Sequence, residues 1–211
     1  MVNAINIKTI DKPGVLRKVT DFLAKKNINI VYTHMFQDST GYAHMYIELE
    51  DVIDIENLLN LGVERVVVGS VAVKNPELVR GWLNMYGPEH FTLALDVRLV
   101  DGVPYVATHG WLKTSNTTLD QVLRHYLPYH IEHVLVTDIS KDGMMSGANN
   151  SLYAQLYAKY PDLDIIASGG ISSLDDVKAV ARAGAHSVVL GRSLLEGKFT
   201  VEEAVKCWQN A

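Results

Sequence analysis

The sequence predicts an α/β chain in two parts: a ferredoxin-like βαββα segment, then a partial (β/α)8 (TIM-type) barrel of about five βα units. Three observations carry that prediction. The first is Asp164–Gly197, DIIASGGISSLDDVKAVARAGAHSVVLGRSLLEG, in which two short apolar runs each end in a small-residue turn with a helix start just beyond. The second is the alternation of strand and helix patterns from Gly62 onward, whose short connections favour parallel pairing and right-handed crossovers. The third is an internal repeat: Gly62–Ser70 (GVERVVVGS) matches Gly184–Arg192 (GAHSVVLGR) at an offset of 122 residues. Four βα units of about 31 residues each fill such an offset in a barrel. The same offset places Tyr46, Ile47 and Glu48 where a counterpart of Ser168-Gly169-Gly170 belongs. The upstream glycine turn is therefore missing, and three of the eight units with it.

The elements follow in order. Residues 3–10 (NAINIKTI) alternate as a strand does, and Asp11-Lys12-Pro13-Gly14 breaks it, with Asp11 as an N-cap. From Val15 to Lys26 the residues Val15, Leu16, Val19, Phe22 and Leu23 share one helical face. Residues 28–36 and 42–49 read as strands joined by a hairpin connection, QDSTG, and a short helix covers about Ile53–Leu61. The second part starts with a strand at 64–68, Gly69-Ser70, and a helix near Pro76–Tyr86. A strand at 91–97 then leads through a long connection to a helix near Thr118–Tyr126. The strand 133–137 is followed by the loop DISKDGMMSGANN and a helix near Ser151–Lys159. The opening pair of units completes the chain, with a last helix over about Val201–Gln209.

Composition bounds the function. The 211 residues suit one large domain or two small ones, 48% are hydrophobic and 20% charged, and the net charge is −5. That balance offers no electrostatic case for nucleic acid or an anionic membrane surface. A single cysteine, Cys207, excludes an internal disulfide and fits a reducing compartment. With no signal-type h-region at the start and no apolar run near the ~20 residues of a membrane span, the cytoplasm is the expected location. Eight histidines, including His125, His130 and His133, lack HExxH or comparable spacing, so no metal is expected.

Two resemblances sharpen the reading. IKTIDKPGVLRKVTDFLAKKNINIVYTHMF, with a strand, D-x-P-G-V-L, an amphipathic helix and N-I-N-I, resembles the opening of an ACT domain over residues 1–61. That resemblance implies an amino-acid effector near Asp11 and Gly14; the alternative is that Pro13-Gly14 is only a strand–helix turn. Residues 62–211 carry VVVGS, LALDVR, GW, TDISKDGMMSG, SGGISSLDDV and GRSLLEGKFTVEEAVKCWQ. These are similar to the phosphoribosylformimino-aminoimidazole-carboxamide ribotide isomerases of histidine biosynthesis. The resemblance implies an Amadori rearrangement of a sugar with a phosphate at each end, without metal or organic cofactor. It makes Asp96, at its strand end, the general acid on the ribose ring oxygen, against the alternative of a polar strand end. It places Thr137 and Asp142 in the next functional strand and loop, positioning the substrate and ordering the loop, against the alternative that DGMMSG is only a mobile surface loop. It makes Trp111 the aromatic that stacks on the imidazole, if it is not merely packing. Gly169, Gly170, Gly191 and Arg192 would hold one phosphate, and Gly69 and Ser70 part of the other.

One departure matters. The isomerases' general base is an aspartate in a first-strand segment resembling P-A-I-D-L-I-D-G, and the position closest to it here is Asn6. An amide cannot accept the proton, so weak or absent turnover is expected. A five-strand fragment also leaves an open edge and an apolar face, which predicts a homo-oligomer or strand pairing across the junction. Residues 64–68 can complete the first sheet or begin the barrel, and the mismatch of the two parts suggests a recombined or engineered chain. The second function class is a non-catalytic, small-molecule-binding or structural protein.

Overall fold

Alternating and helical apolar patterns become two compact units, residues 1–92 and 93–211. The structure, a computed structural model, describes residues 3–10, 14–25, 28, 30–37, 42–49, 55–108 and 113–211. Asp11, Trp111 and the hairpin connection at 38–41 lie outside the described residues.

The first unit contains β1 (Asn3–Ile10), α1 (Val15–Lys25), β2 (Ile30–Gln37), β3 (Tyr42–Leu49), α2 (Ile55–Asn60), β4 (Val66–Val68), α3 (Val71–Lys74) and α4 (Pro76–Tyr86). Its sheet has the order β1-β3-β2 with antiparallel neighbours, from Asn3 opposite Leu49 to Ile10 opposite Tyr42. β2 joins the other edge of β3, with a register shift between Ile30 and Tyr32. Period-two alternation buries Met45 and Ile47 on one face of β3. On α1 the buried residues are Val19 and Leu23, one turn apart, whereas Leu16 is exposed. The apolar stripe of that helix is narrower than the sequence pattern. α4 starts on the Asn75 side chain, which accepts a hydrogen bond from the Leu78 N–H at 3.3 Å, with Pro76 at the first helical position. The segment entering β4 is tied to the one before Phe91: Arg65 Nε donates to the Glu89 carbonyl at 3.3 Å, and His90 Nδ1 lies 2.9 Å from the Glu64 carbonyl oxygen.

The second unit takes up β5 (Phe91–Val100) from Leu93 and continues with β6 (Val103–Thr108), β7 (Lys113–Thr118), α5 (Leu119–Tyr126), β8 (His133–Asp138), α6 (Asn150–Lys159), β9 (Asp164–Ser168), α7 (Leu174–Arg182), β10 (Ser187–Val188), α8 (Arg192–Leu195) and α9 (Val201–Gln209). Its strands run β10-β9-β8-β5-β6-β7. β8, β9 and β10 are parallel, and β5–β6–β7 is an antiparallel meander. This is an α/β fold with a run of parallel strands. Capping boxes start α5 (Thr118, Gln121), α7 (Ser173, Asp176) and α9 (Thr200, Glu203), where sequence spacing supplies a hydroxyl and a carboxylate or amide three residues on.

The meander corrects one expectation. β5 does not end at Val97 in a loose connection but extends to Val100, so Asp96 sits within the strand rather than at its end. Asp101 and Gly102, with φ of 50° and 80°, form a two-residue hairpin turn between the paired residues Val100 and Val103. Two consecutive left-handed residues match the right-handed twist of the flanking strands.

The internal repeat is structural. α2 ends in Gly62, with φ of 87°, and the Val63 N–H donates to the Leu58 carbonyl at 3.3 Å. α7 ends in Gly184, with φ of 88°, and the Ala185 N–H donates to the Val180 carbonyl at 3.3 Å. Both are left-handed glycine stops closed by the same six-residue hydrogen bond. Each is followed by a buried small apolar residue, a short strand, a glycine and a one-turn helix, α3 or α8, and then by a longer helix. The one-turn helices leave no mark in the apolar pattern, because four residues are too few to show a period.

Candidate functional site

β8, β9 and β10 end side by side, and the turns that follow enclose a cavity of about 240 Å³. Its lining comes from three segments: Asp142, Gly143 and Met145 after β8, Ser168–Ile171 after β9, and Val189, Gly191 and Arg192 after β10. Glycine is required at the centre of this arrangement. Gly169 and Gly170 have φ of 94° and 87°, and a Cβ on Gly170 would stand 2.4 Å from the Gly147 carbonyl oxygen. A Cβ on Gly169 would stand 3.1 Å from the Asp138 carbonyl oxygen. The Gly147 N–H donates to the Gly170 carbonyl at 3.0 Å, fixing the two loops against each other. Among the described residues, the N–H groups of Gly169, Gly170 and Gly191 donate to no protein acceptor. Backbone donors without partners at a concave turn favour an anion there.

The loop after β8 is organised by a carboxylate that sequence reasoning missed. Asp138 is 1% exposed. It accepts from the Ser140 N–H at 3.0 Å, the Ser140 hydroxyl at 2.7 Å and Asn149 Nδ2 at 2.7 Å. Asn149 also accepts from the Leu152 N–H at 3.2 Å, so the same side chain that ends the loop caps α6. The signal is there as an Asp-x-Ser turn motif, but its partner eleven residues on leaves no periodic trace. A second carboxylate, Asp176, supports the turn after β9. Burial by itself would raise its pKa, but hydrogen bonds from Ser172 and Ser173 outweigh it and hold the carboxyl below its ordinary range.

Arg192 supplies the cation at the rim. Its Nε pairs with Glu196 Oε1 at 2.6 Å, and Nη1 donates to the Gly143 carbonyl at 2.7 Å, bridging from α8 to the loop after β8. An anion in the cavity would compete with Glu196 for that guanidinium. Ser193, next in sequence, is fully buried with a hydroxyl that has no hydrogen-bond partner among the described residues.

The predicted residues divide accordingly. Asp142, Gly169, Gly170, Gly191 and Arg192 share the cavity wall. Thr137 is buried at the end of β8, opposite Ser168 in the ladder, just behind it. Asp96 is half-buried in β5, the strand beside β8, and is not among the residues that line the cavity. The two strands are linked past that point by the Ile139 N–H, which donates to the Val97 carbonyl at 3.0 Å. Gly69 and Ser70 belong to the first unit, where the carbonyls of both accept from the first turn of α3. Gly14 precedes α1 with φ of 89°, and a Cβ there would meet nothing within 4 Å among the described residues. Among the described residues no cluster of three His, Cys, Asp or Glu side chains has metal-holding geometry. No described helix is long and apolar enough to cross a membrane.

Comparison with known proteins bears on this geometry. Residues 49–200, which include every segment of the cavity, match the model of a family described as histidine biosynthesis protein. The chain belongs to that family. Residues 4–61 match the ACT domain model, so the two matches overlap at 49–61. Members of the histidine biosynthesis family similar to this chain include phosphoribosyl imidazole-carboxamide isomerases. The one from Psychromonas ingrahamii is 53% identical over 159 residues, 75% of this chain and 65% of the relative. The one from Serratia proteamaculans is 51% identical over 158 residues, 74% of this chain and 64% of the relative. The chain thus spans just under two thirds of the length of those relatives. The isomerase from Buchnera aphidicola is 43% identical over 209 residues, covering 97% of this chain and 86% of that protein.

Proposed function

We propose that the chain binds a phosphorylated ribotide through the cavity after β8, β9 and β10, as a partial-barrel member of the histidine biosynthesis family. The observation that carries this is the cavity wall, which two left-handed glycines and unpaired backbone N–H groups share with an arginine. The names of the relatives, isomerases of a phosphoribosyl compound, support the substrate class. In this reading Gly169, Gly170, Gly191 and Arg192 hold one phosphate, Gly69 and Ser70 serve a second, Trp111 stacks on the base, and Thr137 and Asp142 orient the sugar. Asp96 is the general acid. With Asn6 where the resemblance expects the general base, turnover is weak or absent, because one half of the acid–base pair is lacking. A direct isomerase assay tests this: turnover matching that of a full-length relative overturns the missing-base argument. Titration calorimetry with the bisphosphorylated ribotide tests the binding separately, and no heat at millimolar ligand overturns it.

A second reading concerns the first unit. The ACT match, the strand order β1-β3-β2 and the left-handed Gly14 ahead of α1 support a ferredoxin-like regulatory segment over residues 1–61 that takes an amino-acid effector near Asp11 and Gly14. A panel of amino acids in the same calorimeter tests it. A homo-oligomer follows from the exposed apolar residues near β10, Val189 at 44% and Leu195 at 82% exposure, and sedimentation measures it. The cytoplasm remains the proposed location, and a recombined origin accounts for the two overlapping family matches.

A further inference from the structure

We infer that the Tyr153 hydroxyl positions the Ser168–Gly170 turn for phosphate, an inference that rests on the phosphosugar reading of the cavity. Tyr153 projects from α6 and is fully buried. Its oxygen accepts from the Ser168 N–H at 3.1 Å and lies 2.8 Å from the Ser168 carbonyl and 3.2 Å from the Val136 carbonyl. One hydroxyl proton serves one carbonyl at a time, and Ser168 is the nearer. The β8–β9 ladder ends at the pair Thr137–Ser168, and the chain then turns through two left-handed glycines. Where the ladder stops, the tyrosine oxygen satisfies both polar groups of the last strand residue.

That oxygen sets the exit direction of the strand. The Gly147 carbonyl lies too close to Gly170 for a side chain and the Asp138 carbonyl leaves little room at Gly169, so the turn is bounded by a hydroxyl contact and by a second backbone. The aromatic ring occupies space that phenylalanine also fills. Removing the oxygen alone leaves the part-buried Ser168 N–H without its partner, and the turn can move to satisfy it. Burial pushes the hydroxyl up to about 12, against a smaller opposing effect of the Ser168 backbone, so it stays protonated over the working pH range.

The test compares Tyr153→Phe with Leu156→Ala, which hollows the same helix at another buried residue. Affinity for the bisphosphorylated ribotide is measured by calorimetry well below each melting temperature, alongside the amide ¹H–¹⁵N resonances of Ser168, Gly169 and Gly170. Tyr153→Phe is expected to bind on the order of tenfold more weakly and to shift those resonances. Leu156→Ala is expected to melt earlier yet bind as the parent does. Unchanged affinity in Tyr153→Phe, or an equal loss in Leu156→Ala, overturns the positioning role while leaving the cavity reading intact. A parent protein that binds no ribotide overturns the cavity reading and this inference with it.

Discussion

Replacing Gly170 by alanine tests the packing on which the cavity depends. Two costs add. At φ of 87° an L-residue sits in the left-handed region, which costs about 1–2 kcal/mol. The new Cβ would also stand 2.4 Å from the Gly147 carbonyl oxygen, 2.9 Å from its carbon and 3.1 Å from Lys141 Cβ. Two of those three atoms are backbone, so relief requires the loop after β8 to withdraw. Withdrawal breaks the 3.0 Å bond from the Gly147 N–H to the Gly170 carbonyl, worth about 0.5–1.5 kcal/mol. The expected loss is on the order of 1.5–3.5 kcal/mol. Gly143→Ala provides the control: its φ is 68° but nothing lies within 4 Å, so only the conformational cost of about 1–2 kcal/mol applies. Urea denaturation followed by circular dichroism measures both. A Gly170→Ala variant no less stable than Gly143→Ala refutes the close approach of the two loops.

Three other outcomes follow from the same region. Asp138→Ala removes the acceptor of three hydrogen bonds at a buried site and is expected to cost about 3 kcal/mol. Limited proteolysis should then cut faster between Ser140 and Asn149, and an unchanged cleavage rate counts against the network. Because the folded-state pKa of Asp176 is depressed, its contribution to stability is present above the unfolded value of about 4 and is lost as pH falls through the folded value. The stability gap between the parent and Asp176→Asn should therefore be constant near neutrality and close in acid; a gap that widens in acid reverses the sign. Arg192→Met should change stability by less than ~1 kcal/mol, since its ion pair with Glu196 is solvent-exposed. Ribotide affinity should nevertheless fall about tenfold, and titration calorimetry distinguishes the two effects.

How much of the fold and site is legible in the sequence depends on how local each signal is. The capped helices are legible because hydroxyl and carboxylate stand three residues apart, as at Ser173 and Asp176. The cavity glycines are legible because small residues end two apolar runs in succession. The β5–β6 hairpin is equally available, as Asp101-Gly102 between alternating apolar residues, but the expectation of a helix after every strand obscures it. The roles of Tyr153 and Asp138 are not legible. Their partners lie 15 and 11 residues away, and nothing in periodicity marks which buried tyrosine ends on a strand carbonyl.

Binding and chemistry separate on physical grounds. Every described residue lining the cavity lies from Asp142 to Arg192, and the bonds that shape the wall, from Asn149 to Asp138 and from Gly147 to Gly170, close within the second unit. The partners proposed for an anion there are mostly backbone groups and glycines, which a change elsewhere in sequence does not alter. Proton transfer has no such insulation. It needs an acid and a base of defined strength on opposite sides of a sugar, and the proposed function assigns the base's position to an amide, Asn6. Under the proposed function a cradle built from main chain depends less on distant side chains than an acid–base pair does, and Asn6→Asp is the substitution that tests whether a carboxylate at position 6 changes turnover. If turnover rises in Asn6→Asp while ribotide affinity stays constant, the base was the missing part. An outcome in which neither changes overturns the missing-base argument.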